Sequence, residues 1–229
     1  MSNPEPLPAR LMLFLDSRSP AGAHGHSLGM EAAINAGFVT CLDEVEEFCR
    51  ARLVTAGRVA AGFAATSCGA WHEDWSAERW TELDSELSAR TPSPAARTAS
   101  RQLGSGLVRL LRASEPRADL LTPWRGCPRP APHHPIVLGA ACAILGGDAR
   151  ITARAAALGT STMPASAAVR MLGLDPYDVH GMVTRLGSLV EEVADAAHAD
   201  LPLLPSCSTP AMELLADVHV AEEVRLFAS

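Results

Sequence analysis

Asp175-Pro176-Tyr177-Asp178-Val179-His180-Gly181-Met182-Val183-Thr184-Arg185-Leu186-Gly187-Ser188-Leu189-Val190-Glu191-Glu192-Val193-Ala194-Asp195-Ala196-Ala197 is the stretch that decides the fold class. Its apolar members, Val179, Met182, Val183, Leu186, Leu189, Val190, Val193, Ala194 and Ala197, recur at steps of three and four, so one helix would carry them on one face. Glu191, Glu192 and Asp195 fall on the other side. Asp175 suits an N-cap, and Pro176 suits the first helical position, where a missing N–H costs nothing.

The same periodicity extends outward. Val45, Phe48, Cys49, Leu53 and Ala56 form a stripe on a helix from about Leu42 to Val54, with Glu44, Glu46, Glu47 and Arg50 solvated. Asp43 followed by Glu46 resembles a capping box, and Gly57 ends or loosens this helix before Val59-Ala60-Ala61 resumes the pattern. Ser76 opens a helix bearing Trp80, Leu83 and Leu87; Ser93-Pro94 opens another bearing Leu103, Leu107, Leu110 and Leu111. His134-Pro135 starts an apolar run to Leu145 that Gly146-Gly147 ends. Asp148 caps a stretch to about Leu158, a further one reaches Leu172, and Pro164 marks a break or fresh start. Thr209-Pro210 begins a short last helix. Alternating β-branched runs are missing, so no strand set is expected. The expected fold is all-α: a single helical-bundle domain of about eight to ten helices over 1–229, with a Pro-rich surface loop near 122–134.

Composition agrees with a folded core. Apolar residues make up 48% of the 229 and charged residues 20%. A chain of this length buries roughly 70–75% of its unfolded surface without disulfides or metal. Aromatics are only 4%, so Leu, Val and Ala must build the core. The net charge is -7, the 19 basic residues are scattered arginines, and lysine is absent, which argues against a phosphate-neutralising nucleic-acid surface. Cysteines 41, 49, 68, 127, 142 and 207 contain no C-x-x-C pair and no export signal precedes them, so reduced thiols in a cytoplasmic protein are expected. Leu11-Met12-Leu13-Phe14-Leu15 is too short for a bilayer span, which needs roughly 20 apolar residues; no membrane association is expected.

Catalytic motifs are scarce. There is no Gly-x-Ser-x-Gly, no Walker loop, no G-x-G-x-x-G after a strand and no His-Glu-x-x-His. His24 and His26 are the metal candidates: two positions apart, they could ligate together only from a loop, which glycines 22, 25 and 29 favour. A metal-dependent enzyme using His24, His26, Glu31 and His133 or His134 is the alternative function. Against it, His134 or a water is expected to satisfy the free N–H groups at the start of its helix, and Trp71-His72-Glu73 with Trp75 to form a half-buried loop.

Two stretches exceed what core packing needs. Ser19 to Glu31 is a small-residue loop leading into a helix and suits docking. The C-terminus, Glu222 to Ser229, ends in Arg225-Leu226-Phe227-Ala228-Ser229, which either orders on a partner or folds Phe227 back onto its own domain.

With other segments these resemble the UreF family of urease accessory proteins. The family's hydrophobic opening, Asp-Ser, Pro-x-Gly loop and Ser-x-Gly-Leu/Met-Glu match Leu11 to Asp16-Ser17, Pro20-Ala21-Gly22 and Ser27-Leu28-Gly29-Met30-Glu31. Its mid-chain His-Pro and Gly-containing apolar helix match His134-Pro135-Ile136-Val137-Leu138-Gly139, its Ala-Ala-Val-Arg matches Ala167-Ala168-Val169-Arg170, and its Arg-Leu-Phe-x-Ser ending matches Arg225 to Ser229. The chain departs from the pattern with histidines 24 and 26 where the family has an aromatic, with Gly173-Leu174-Asp175-Pro176 for Pro-Leu-Gly-Gln, and with Ala228 for a basic residue. The resemblance implies an all-helical homodimer without catalysis or cofactor of its own. Such a protein bridges the UreG GTPase and UreD (also called UreH) to the urease apoprotein, acting as a chaperone of metallocentre assembly. Nickel would be handled transiently by that complex and GTP bound by the partner. The partner-binding residues it implies are Asp16, Ser17, Gly22, Ser27, Gly29, Glu31, Arg170, Arg225, Leu226, Phe227 and Ser229, with a tail near 218–229 that orders on UreD.

Overall fold

The computed structural model of the chain describes residues 7–16, 18–20, 25–115, 131–199, 204–220 and 226–227, the last two positions of 191–199 and the last three of 204–220 by backbone only. The order is α1 (Ala9–Leu15), α2 (Met30–Asn35), α3 (Leu42–Arg52), a π-helical turn (Leu53–Gly57), α4 (Arg58–His72), α5 (Ala77–Ala89), α6 (Pro94–Ser114), α7 (His134–Ile144), α8 (Ala149–Leu172), α9 (Pro176–Arg185), α10 (Gly187–Ala199) and α11 (Pro210–Val220). No strand occurs among the described residues. The expected all-α class is what the chain adopts. Most of the Pro-rich loop lies outside the described residues, and α7 has already begun at His134.

Helix α4 is the axis. Its Val59, Phe63, Ala64 and Ala70 join one core cluster with α1, α5, α6 and α7; its Ala61 and Ala65 join a second with α2, α3, α8, α9 and α10. Small residues make this double contact possible. A Cβ on Gly139 of α7 would stand 2.3 Å from the Ala64 carbonyl oxygen and 2.5 Å from Ser67 Cβ, so the two backbones touch. Ser67 Oγ donates to the Ile136 carbonyl across the same contact, at 2.6 Å. Cys49, Cys68 and Cys142 are buried free thiols that pack as small hydrophobes, and Cys41 and Cys207 are free as well. Cys127 lies outside the described residues. Burial pushes the Cys49 and Cys142 thiols up to about 12.

Local caps behave as expected at three starts: Ser93 accepts from Ala96 N–H at 3.0 Å, Asp148 from Ile151 at 2.7 Å and Asp175 from Tyr177 at 2.8 Å. Four expectations are corrected. The helix expected over 175–197 is two, stepped at Leu186-Gly187, although Val179, Met182, Leu186, Val190, Val193, Ala194 and Ala197 remain one buried stripe. Pro164 does not interrupt α8: proline's fixed φ is already helical, and the lost N–H costs less than the packing of buried Ala157, Ala165, Ala167 and Ala168 contributes. At the start of α3, Glu44 and not Asp43 closes the turn, its Oε2 taking the Thr40 N–H and hydroxyl at 2.7 and 2.8 Å. Finally, the N–H groups opening α7 are met neither by His134 nor by water. His133 N–H donates to Asp84 Oδ1 of α5 at 2.9 Å, and His134 N–H to Ser100 Oγ of α6 at 3.2 Å.

His133 itself is 0% exposed. Its Nε2 lies 2.9 Å from Ser88 Oγ, whose own proton goes to the Asp84 carbonyl; Nε2 therefore carries the hydrogen, leaving Nδ1 as a buried lone pair with no donor among the described residues. Burial, only partly offset by Asp84, brings the imidazole down to about 4, so it folds neutral. As the pH falls, the unfolded chain takes this proton first, near about 6.5. The stability tied to His133 is thus complete above that value and lost between it and about 4. We expect urea denaturation to show a loss on the order of 2 kcal/mol from this group across that window, with a shallower pH slope in His133→Gln; an equal slope would refute the assignment.

Candidate functional site

Ser27, Gly29 and Glu31 are built into one turn. Gly29, at φ +88°, caps α2 in a left-handed conformation that a side chain resists, and Leu28 before it is also left-handed at φ +52°. Ser27 Oγ accepts the Glu31 N–H at 3.3 Å. This tight entry points the Glu31 side chain inward, where the residue is only 2% exposed.

A carboxylate so enclosed needs donors, and the far end of the chain supplies them. Leu226 N–H donates to Glu31 Oε1 at 2.7 Å, and Phe227 N–H to Oε2 at 2.9 Å. Both lengths are those of charge-assisted bonds. Phe227 is 5% exposed within the second core cluster, whereas Leu226 is 73% exposed. The Arg170 guanidinium of α8 stands 5.2 Å from the centre of the Phe227 ring, a cation–π contact.

The structure therefore brings together six of the residues singled out from sequence: Ser27, Gly29, Glu31, Arg170, Leu226 and Phe227. Of the two outcomes left open for the tail, this chain adopts the one in which Phe227 folds back. Asp16 stands apart at the end of α1, held by Arg18 through Nη2 and Nε at 2.7 and 3.0 Å. These hydrogen bonds hold its carboxyl well below the usual carboxylate range. Ser17, Gly22, Arg225 and Ser229 lie outside the described residues.

Among the described residues the alternative metal set is not assembled. His24 lies outside the described residues. Glu31 binds tail amides through both oxygens and His133 binds Ser88. His26 is buried, and desolvation lowers its basicity; the same cause, with His26 nearby, brings His134 down to about 4. Among the described residues no group of three or more His, Cys, Asp or Glu is disposed to hold an ion.

Sequence reasoning missed the surface beside α1. Leu11 and Phe14 are buried, but Met12 and Leu13 are 57% and 72% exposed. On the same helix, Phe14 and Leu15 line an open cavity of about 920 Å³ between α1, α4, α7 and α8, together with Asp16, His72, His134, Arg154 and Leu158. The signal was present: two apolar residues on the helix side away from the Leu11/Phe14 pair. The half-buried loop expected at Trp71-His72-Glu73 with Trp75 is corrected: Trp71 and His72 are the last residues of α4, and only from Glu73 does the chain leave the helix, in a turn where Trp75 Nε1 donates to Glu73 Oε2 at 2.9 Å and Arg79 stacks on Trp75 at 3.7 Å. No helix among the described residues is long and apolar enough to cross a membrane.

These features define an all-α protein that closes its own C-terminal tip onto a buried carboxylate. The UreF family model matches residues 39–187. Proteins named Urease accessory protein UreF from Mycobacterium sp. (strain JLS), Mycobacterium marinum and Mycobacterium tuberculosis are similar at 41%, 40% and 39% identity. Each alignment covers 96% of this chain and 97–98% of the relative. The chain belongs to the UreF family.

Removing the carboxylate forfeits two charge-assisted bonds, each worth roughly 1.5–3 kcal/mol. In Glu31→Ala we expect carboxypeptidase to trim the C-terminal tip at least about tenfold faster, with the helical circular dichroism retained; an unchanged trimming rate would show that Glu31 does not hold the tip.

Proposed function

We propose that the chain is a non-catalytic scaffold of urease maturation, joining a UreG-type GTPase and a UreD (UreH)-type accessory protein to the urease apoprotein for GTP-dependent nickel insertion. In this role it works as a cytoplasmic homodimer. Membership of the UreF family supports the pathway. The observation that carries the scaffold role is the tip held by Glu31: a segment with exposed Leu226 beside anchored Phe227 is a ready contact surface. GTP turnover belongs to the partner, because a chain with no lysine and no Gly-Lys-Ser/Thr cannot build a Walker phosphate cradle. Nickel is cargo passed through the complex.

Binding energy alone must then do the coupling, and the tip should contribute to it. Co-purification of the full chain with its UreD-type partner is expected to give a stable complex. Deleting Arg225 to Ser229 should weaken it about tenfold or more, the loss expected when a buried anchor of about 1.5–3 kcal/mol goes. Undiminished binding by the truncated chain would remove the tip from the interface. Failure of the intact chain to bind would overturn the scaffold role.

A further inference from the structure

Helix α11 is fastened to the start of α6 by two carboxylates. Ser93 N–H donates to Glu213 Oε2 at 2.9 Å, and Ser93 Oγ and Ala95 N–H donate to Asp217 Oδ1 at 2.5 and 3.2 Å. The free N–H groups that open a helix favour such negative acceptors. Just before α11, Thr209 Oγ1 donates to Thr55 Oγ1 of the π-turn at 3.0 Å.

Apolar packing contributes less on that side. A cavity of about 150 Å³ lies under α11, bounded by its Met212 and Ala216 and by Leu87, Ala99 and Leu103 of α5 and α6. On the other side Met212 and Leu215 reach the second core cluster, and α11 lies against α2, the helix that carries Glu31. A helix of 11 residues is marginal on its own in water, so α11 depends on these fastenings to stay folded and docked.

The same helix carries the tip. Five residues separate Val220 from Leu226, whereas 16 separate Thr209 from it. The odds of closing a flexible tether fall as the three-halves power of its length, so release of α11 makes closure of the tip about sixfold less favourable. Loosening of α2 adds to that factor. We infer that α11 is a latch for the tip: Glu213 and Asp217, by holding α11 to the start of α6, position Leu226 and Phe227 against Glu31. The two fastenings support one another along the strap, and lifting either end loosens the other. Such coupling is equal in both directions. It is a property of the lone chain and stands apart from the proposed scaffold role.

The test is amide hydrogen exchange in the full chain carrying Glu213→Ala and Asp217→Ala together. The α11 amides should then exchange near the rate of an unstructured peptide, and the Leu226 and Phe227 amides at least about sixfold faster than in wild type, with buried α4 unchanged. Asp178→Ala, which removes an exposed carboxylate on α9, should leave both regions as they are. In the reverse direction, Glu31→Ala should speed exchange along α11 by a similar factor; this arm decides alone if the double variant loses its helical circular dichroism. Continued protection of α11 in the double variant would show that the carboxylates are not its fastening. An unchanged tip when α11 has opened, or an unchanged α11 in Glu31→Ala, would show the two ends to be independent. Any of these results overturns the proposal.

Discussion

The backbone contact between α4 and α7 governs the arrangement of everything else. At Gly139 the two helices come so near that no side chain fits between them, and Ser67 ties the contact with a hydrogen bond to Ile136. An interhelical approach this close is bought with glycine and alanine, which explains how a chain with so few aromatics fills its interior. Because α4 is buried on both sides, it welds two apolar clusters that would otherwise be separate helical groups. Helix α8 then lies across α2, α3, α4, α9 and α10 and holds the second cluster together.

That frame creates the setting in which a six-residue helix can present a buried carboxylate. Helix α2 is too short to be stable alone; its contacts with α8 and α11 hold it. Once fixed, Glu31 is buried and needs donors, and the tail amides supply two of them. The energies are modest on each side. Burying Phe227 contributes about 1.5–3 kcal/mol, and the two bonds to Glu31 add to it, while ordering each tail residue costs about 1–2 kcal/mol. The balance is a closed tip of a few kcal/mol, a contact that can form in the lone chain and still be exchanged for another.

How much of this was legible in the sequence follows from how local each feature is. The caps at Ser93, Asp148 and Asp175 involve residues two or three positions apart, and each was readable. The apolar stripe through Val179 to Ala197 was readable too, though the step at Gly187 was not, because either a bent or a straight helix buries the same residues. Pro164 misled because its penalty is local while the packing that outweighs it comes from other helices. Asp43 misled because Asp43 and Glu44 are equally plausible as text, and only the path of Thr40 selects Glu44. Glu31 and the Leu226-Phe227 ending were each marked by family resemblance, but their bonding to one another spans the chain and has no sequence signature.

The isolated chain holds its tip through the Leu226 and Phe227 amides. Amide hydrogen exchange at these two positions tests it most directly. Engaged with a buried carboxylate, they should exchange at least about tenfold more slowly than an unstructured tail, as opening by more than about 1.4 kcal/mol requires. Exchange of both amides at the rate of an unstructured peptide would contradict the account.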